Sequence, residues 1–204
     1  APEIQRGSSG GTGSGGRILR PGIQSRFAMI PPVQEVLISR EAIAAKIREL
    51  AQVINAAYRG RELVLISILK GSIVFLADLM KELDLDVEIG FFYLSSYQGE
   101  TSPQTRMRHY GIPLPGITGR DVLLVEDIFD TGASLAYAYK ECQKHRPRSL
   151  KTCVFVVKSS KERPELPPID FRGFDIPDVF IVGYGMDYRE KYRQLPYIAV
   201  PRLP

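Results

Sequence analysis

The sequence predicts an α/β domain whose central, mainly parallel sheet is flanked by helices. Three observations lead there. Continuous apolar runs of strand length recur, LVLISIL at 63–69 and VLLV at 122–125 among them, as in parallel strands covered on both faces. Segments with apolar residues at helical spacing alternate with those runs. A polar or glycine-bearing group follows each run, and open α/β sheets bind ligands beyond the carboxyl ends of their strands.

Taken in order, residues 1–32 contain GSSGGTGSGG and then a proline-bearing stretch. They read as a flexible Gly/Ser-rich tail and an arm. The folded part, 33–204, reads as a single domain. Ser39 is a plausible helix N-cap, and Ile43, Ile47, Leu50, Ala51 and Ile54 recur at helical spacing until Gly60. The 63–69 strand ends at Lys70-Gly71-Ser72, and Ile73, Leu76, Leu79, Met80 and Leu83 mark a second helix. Residues 87–94 are rich in β-branched and aromatic types and read as a strand. Residues 95–119 are turn-rich and long for a connection, which marks a functional or a disordered loop, with room for a hairpin. A strand at 122–125 then leads through Glu126 and Asp127 to Asp130-Thr131-Gly132-Ala133-Ser134 and a helix over 133–144. Strands are expected at 151–157, 178–184 and 197–200.

Bulk composition limits the function classes. At 204 residues, 44% hydrophobic and 25% charged, the chain is an ordinary globular protein. Its formal charge of +4 comes from 27 basic and 23 acidic residues, interspersed. That pattern shows no nucleic-acid stripe and suits a polyanionic small substrate. Cys142 and Cys153 are the only cysteines, which points to a reducing cytoplasm rather than a disulfide scaffold. No apolar run of membrane-spanning length and no secretory leader pattern is present, so neither a membrane nor a nucleic-acid partner is expected.

The candidate chemistry gathers around 126–134. Glu126 and Asp127 follow an apolar strand and, as neighbours, point to opposite faces; such acceptors suit sugar hydroxyls or a divalent cation. Asp130 is either a helix N-cap or a general base. Residues 130–134 present backbone N–H groups at a helix N-terminus, with the hydroxyls of Thr131 and Ser134, a nest for a phosphate monoester. The P-loop lysine is missing and no GxGxxG occurs, which disfavours nucleoside-triphosphate hydrolysis and dinucleotide binding. Lys70 and Lys158 each follow an apolar strand, and each reads as a surface charge or as an anion or carbonyl ligand. Phe180 reads as core or as a stacking ring. Asp187 and Arg193 suit a cation and a departing anion respectively.

VLLVEDIFDTGASL resembles the phosphoribosyl-pyrophosphate signature of type I phosphoribosyltransferases. LKGS, SSY, VVK and DVFIVGYGMDYREKYR resemble the hypoxanthine-guanine (6-oxopurine) branch, and the likeness covers about 36–200. It implies a parallel-sheet fold with a small hood formed by terminal segments and a long flexible loop. The implied reaction is that of a Mg2+-dependent pentosyltransferase of purine salvage. Phosphoribosyl pyrophosphate and hypoxanthine or guanine would give IMP or GMP and pyrophosphate.

The resemblance also implies roles. Glu126 and Asp127 would hold the ribose hydroxyls and, with Asp187, Mg2+. Asp130 would act at purine N7, and Thr131, Gly132, Ala133 and Ser134 would help hold the 5′-phosphate. Lys70 and Gly71, often across a non-proline cis peptide, would meet pyrophosphate together with Arg193. Ser96 and Tyr97 belong to the closing loop. Lys158 would contact O6, Phe180 would stack on the base, Ile181 would meet its edge through the backbone, and Asp187 would lie near both base and metal. Ala133 departs from the lysine, arginine or leucine often found there. The family implies a homodimer or homotetramer in the cytoplasm. A xanthine-preferring enzyme and a regulatory RNA-binding protein on the same scaffold are the rival readings.

Overall fold

The computed structural model describes residues 33–97, 106–109, 116–161 and 164–202; the expected tail and arm at 1–32 and much of the 95–119 loop lie outside the described residues. Strand β1 (Val33–Ile38) leads into helix α1 (Arg40–Ala57), where Ser39 caps the first turn by accepting from the Ala42 N–H at 3.2 Å. The buried stripe of α1 is the one its spacing predicts: Ile43, Ile47, Leu50, Ala51 and Ile54. Strand β2 (Leu63–Leu69) matches its apolar run, and its first six residues are buried.

Helix α2 (Ile73–Leu79) is shorter than its apolar spacing predicts. The chain after it is held by a side chain from another helix. Asn55 of α1 donates to Glu82 O at 3.2 Å and accepts from the Asp84 N–H at 2.9 Å. Leu83 still packs on the core from outside the helix.

Strand β3 (Val87–Tyr97) runs beyond its expected end and forms a hairpin with β4 (Arg106–His109), with Leu94 opposite His109 and Tyr97 opposite Arg106. Strand β5 (Asp121–Phe129) continues through the acids, so Glu126 and Asp127 lie inside it rather than at its end. Helix α3 (Ala133–Lys144) follows, then β6 (Ser149–Val157).

The next strand is not where apolar content placed it. Strand β7 is Phe171–Asp175, whereas 178–184 forms no strand of the sheet. Gly183, Tyr184 and Gly185 have φ of 97°, 48° and 98°, which turns the chain back on itself. Strand β8 (Ile198–Pro201) pairs antiparallel with β1 in a separate two-stranded sheet.

The main sheet has the order β4-β3-β2-β5-β6-β7, parallel except for β4. It separates two hydrophobic clusters. Leu123 and Val125 of β5 face the one containing α1 and α2, and Val122 and Leu124 face the one containing α3. Phe155 centres the first cluster, with Phe75 at 4.6 Å, Tyr184 at 5.0 Å and Phe174 at 5.5 Å between ring centroids.

At the base of β5, Asp121 is fully buried. It accepts from Arg148 Nε at 3.0 Å, Arg148 Nη2 at 2.5 Å and Ser149 Oγ at 2.6 Å. A bidentate guanidinium and a hydroxyl together satisfy a charge that burial alone would forbid. This ties the start of β5 to the start of β6 and sets the register that carries Glu126 opposite Val154.

Candidate active site

Because five strands run parallel, their carboxyl ends meet at one edge. There a cavity of about 200 Å3 is lined by Ile68 and Leu69 at the end of β2 and Lys70 and Gly71 after it, together with Glu126–Ile128 and Asp130–Ser134. A larger cleft of about 510 Å3 lies between α1, α2 and 193–196; Arg193 lines it, but Glu126, Asp127, Asp130 and the phosphate-cradle residues do not. The candidate acids and the phosphate cradle therefore line the smaller cavity.

Glu126 is 5% exposed, and its Oε2 has no hydrogen-bond partner among the described residues. Burial, and then the neighbouring Asp127, push its carboxyl well above the usual range. Burial likewise pushes Asp127 up to about 6, against the opposing pull of its own and Ile128's backbone N–H groups and of Arg193. Asp127 lies flat on Gly71. A Cβ built on Gly71 would stand 1.8 Å from Asp127 Oδ2, so only glycine permits the approach. The 183–185 turn closes on the same loop, since a Cβ on Gly185 would stand 2.0 Å from Gly71 O. A non-proline cis peptide does occur in this loop, at Leu69–Lys70, one bond before the Lys70–Gly71 step to which the resemblance assigned it.

Helix α3 opens at Gly132 in the left-handed region, with φ 73°, and has no side-chain cap. Its first N–H groups therefore face the cavity, apart from a long 3.4 Å bond from Ala133 N to Thr131 Oγ1. An uncapped helix N-terminus in a polar cavity suits a phosphate.

Lys158, at the end of β6, is 6% exposed and is held by its own N–H to Phe129 O at 3.0 Å. Its Nζ lies 3.2 Å from Asp130 Oδ1 and 3.2 Å from Asp178 Oδ1. A buried ammonium pinned between two carboxylates is positioned rather than roaming. Asp178, which also takes Lys161 at 2.7 Å, was not singled out in the sequence; its pairing crosses from β6 to the segment after β7. Phe180 is 48% exposed, with its ring edge-on to Tyr188 at 5.9 Å. It is not core. Ile181 beside it is buried.

The 187–193 run folds over the Lys70 loop. Arg193 donates to Gly185 O at 2.8 Å and pairs with Asp187 Oδ1 at 2.7 Å and Glu190 Oε2 at 3.3 Å; Lys70 Nζ reaches the same Glu190 oxygen at 3.1 Å. Tyr188 and Lys191 exchange N–H to O bonds of 3.1 Å across a two-residue turn whose Arg189 and Glu190 have φ of 51° and 63°. Neither is glycine, so each left-handed residue costs about 1 kcal/mol or more. Glu190 too was not singled out in the sequence.

The expected metal residues offer only carboxylate oxygens, the hard donors that Mg2+ prefers, and the unpartnered Glu126 oxygen fits such an ion. Among the described residues no three His, Cys, Asp or Glu side chains gather as a metal site. The residues thus suit an ion completed by substrate and water. The backbone of Ser96 and Tyr97 closes β3, and their side chains lie outside the described residues.

Fold and cavity together define a phosphoribosyltransferase. The family model for the phosphoribosyl transferase domain matches residues 34–189. A hypoxanthine-guanine phosphoribosyltransferase of Lactococcus lactis is 39% identical over 168 residues, covering 82% of this chain and 91% of that protein. A hypoxanthine phosphoribosyltransferase of Salmonella typhimurium is 39% identical over 167 residues, covering 81% and 93%. The solved hypoxanthine-guanine phosphoribosyltransferase of Bacillus anthracis matches with a TM-score of 0.74 and 40% identity, over 82% of this chain and 97% of that one. The Staphylococcus aureus hypoxanthine phosphoribosyltransferase matches with a TM-score of 0.77 and 36% identity, over 83% and 92%. The chain belongs to the 6-oxopurine, hypoxanthine-guanine branch of the phosphoribosyltransferase family.

Proposed function

We infer that the chain is a purine-salvage enzyme. It transfers the 5-phosphoribosyl group of phosphoribosyl pyrophosphate to N9 of hypoxanthine or guanine, giving IMP or GMP and pyrophosphate. The observation that carries the base is the Lys158–Asp130 pair at 3.2 Å. O6 and N7 are neighbouring polar atoms of a 6-oxopurine. An ammonium, which only donates, reads the O6 acceptor and finds no partner in the 6-amino group of adenine. Asp130, beside it, is placed to hold the proton at N7.

The rest of the cavity divides the work. Phe180 stacks on the base, and Ile181 meets its edge through the backbone. Glu126 and Asp127 accept from the ribose hydroxyls. The backbone of Asp130–Ser134 cradles the 5′-phosphate, an arrangement that leaves Ala133 tolerated because its N–H does the binding. Lys70, Gly71 and Arg193 take the pyrophosphate, and the loop bearing Ser96 and Tyr97 excludes water from the activated sugar. Mg2+, held through Asp127 and Asp187 with Glu126 beside them, supplies charge stabilisation for the departing pyrophosphate when bound.

The enzyme works in the cytoplasm as a homodimer or homotetramer on this reading. The two free, buried cysteines support a reducing compartment, and no described helix is long and apolar enough to cross a membrane. The deciding experiment is turnover of hypoxanthine, guanine, xanthine and adenine with phosphoribosyl pyrophosphate and Mg2+. Hypoxanthine or guanine should be used at least about 100-fold better than adenine, as a site-reading hydrogen bond requires. Comparable turnover of adenine, or none of any base, overturns the reading.

A further inference from the structure

The proposed pyrophosphate ligands, Lys70 and Arg193, come from chain segments far apart in sequence, yet one oxygen of Glu190 already joins them at 3.1 and 3.3 Å. With Asp187 on the other side of Arg193 at 2.7 Å, two cations and two carboxylates form a neutral quartet. The Glu190 backbone N–H donates to Asp187 Oδ2 at 2.8 Å, and Arg189 and Glu190 form the left-handed turn that carries the bridging side chain. Backbone strain at such a turn persists only when something is gained by it. Lys70 and then Arg193 hold the Glu190 carboxyl below its usual range, so it is an anion throughout the neutral pH region.

We propose that Glu190 is a displaceable stand-in for pyrophosphate, a positioning residue that keeps Lys70 and Arg193 together in the empty site and competes with the anion for them. Its side chain is 65% exposed, so it leaves the two cations without stranding a buried charge. Exposed pairs of this kind are individually weak, and a multiply charged anion on the same two cations displaces one carboxylate readily. After transfer, the returning carboxylate opposes rebinding of the product. Glu190 thereby sets how tightly the site holds pyrophosphate, while the chemistry at C1′ does not depend on it. The proposal rests on the assignment of Lys70 and Arg193 to pyrophosphate.

The test is product inhibition by pyrophosphate in Glu190→Gln, with Glu190→Ala as a second variant and Arg193→Ala as the control. Removing the competing charge should lower the pyrophosphate inhibition constant and the KM for phosphoribosyl pyrophosphate by about three- to tenfold, the scale of two exposed pairs. The kcat should fall wherever product release limits turnover. Glu190→Asp, which keeps the charge, should move back toward the parent. Inhibition unchanged or weakened in Glu190→Gln and Glu190→Ala, while Arg193→Ala loosens pyrophosphate at least tenfold, overturns the stand-in role. Inhibition unchanged in Arg193→Ala overturns instead the assignment of the cations on which the proposal rests.

Discussion

Replacing Asp127 by asparagine should make the ligand-free protein more stable, and only at the pH where the carboxyl is ionised. Burial raises this group from 3.8 to about 6 in the folded state. An acid with a raised folded pKa binds its proton more tightly when folded, so stability falls as pH rises through the window from about 4 to about 6 and is flat above it. Two units correspond to about 3 kcal/mol, and asparagine, which cannot ionise, escapes the whole penalty. Relative to the parent, Asp127→Asn should therefore gain about 3 kcal/mol at pH 8 and less than about 1 kcal/mol at pH 4. Loss of the Asp127 charge also relieves Glu126, which adds in the same direction. Urea unfolding at the two pH values, with unchanged m, reads the difference directly. An equal shift at both pH values, or destabilisation at pH 8, would refute the claim that the unliganded site stores electrostatic cost. Activity should be lost in the same variant, because the stabilised site no longer offers the sugar an anion.

Three further substitutions probe other parts of the argument. Asp121→Asn leaves Ser149 and a half-exposed Arg148 facing a neutral amide and should cost about 1–3 kcal/mol at pH 7 by chemical denaturation. Because Arg148 holds Asp121 below its usual range, that stabilisation is present above about pH 4 and is lost as the pH falls further, so the variant and parent should converge in acid. Lys158→Gln should cut kcat/KM for hypoxanthine by about 10- to 100-fold, one charge-assisted hydrogen bond, and raise the adenine-to-hypoxanthine ratio in the turnover panel. Asp130→Asn should lower kcat on the order of 100-fold; a value within a factor of two of the parent removes Asp130 from proton handling.

What could be read in the sequence was what neighbouring residues decide. LVLISIL is a strand at the positions its apolar run marks, Ser39 caps α1, and α3 spans the residues its spacing predicts. Misplacements arose where distant chain decides. FRGFD becomes a strand because β6 offers it a partner, whereas the more apolar 178–184 is diverted by three successive left-handed residues. Asn55 ends the chain's run after α2 from a helix earlier in the sequence. In the site, the acids and the phosphate turn were legible because they are contiguous in β5 and its following turn. Asp178 and Glu190 were not, because each acquires meaning only through a lysine that follows a strand elsewhere in the sequence.

The 188–191 turn has two outer neighbours. Tyr188 meets Phe180 edge to face, and two residues on, Glu190 bridges Lys70 and Arg193. On the proposed assignment, a flat ring arriving at Phe180 and an anion arriving at the two cations would both bear on the same short piece of left-handed backbone. Any free energy that one arrival spent or released in that turn would be felt by the other, by equal amounts in both directions.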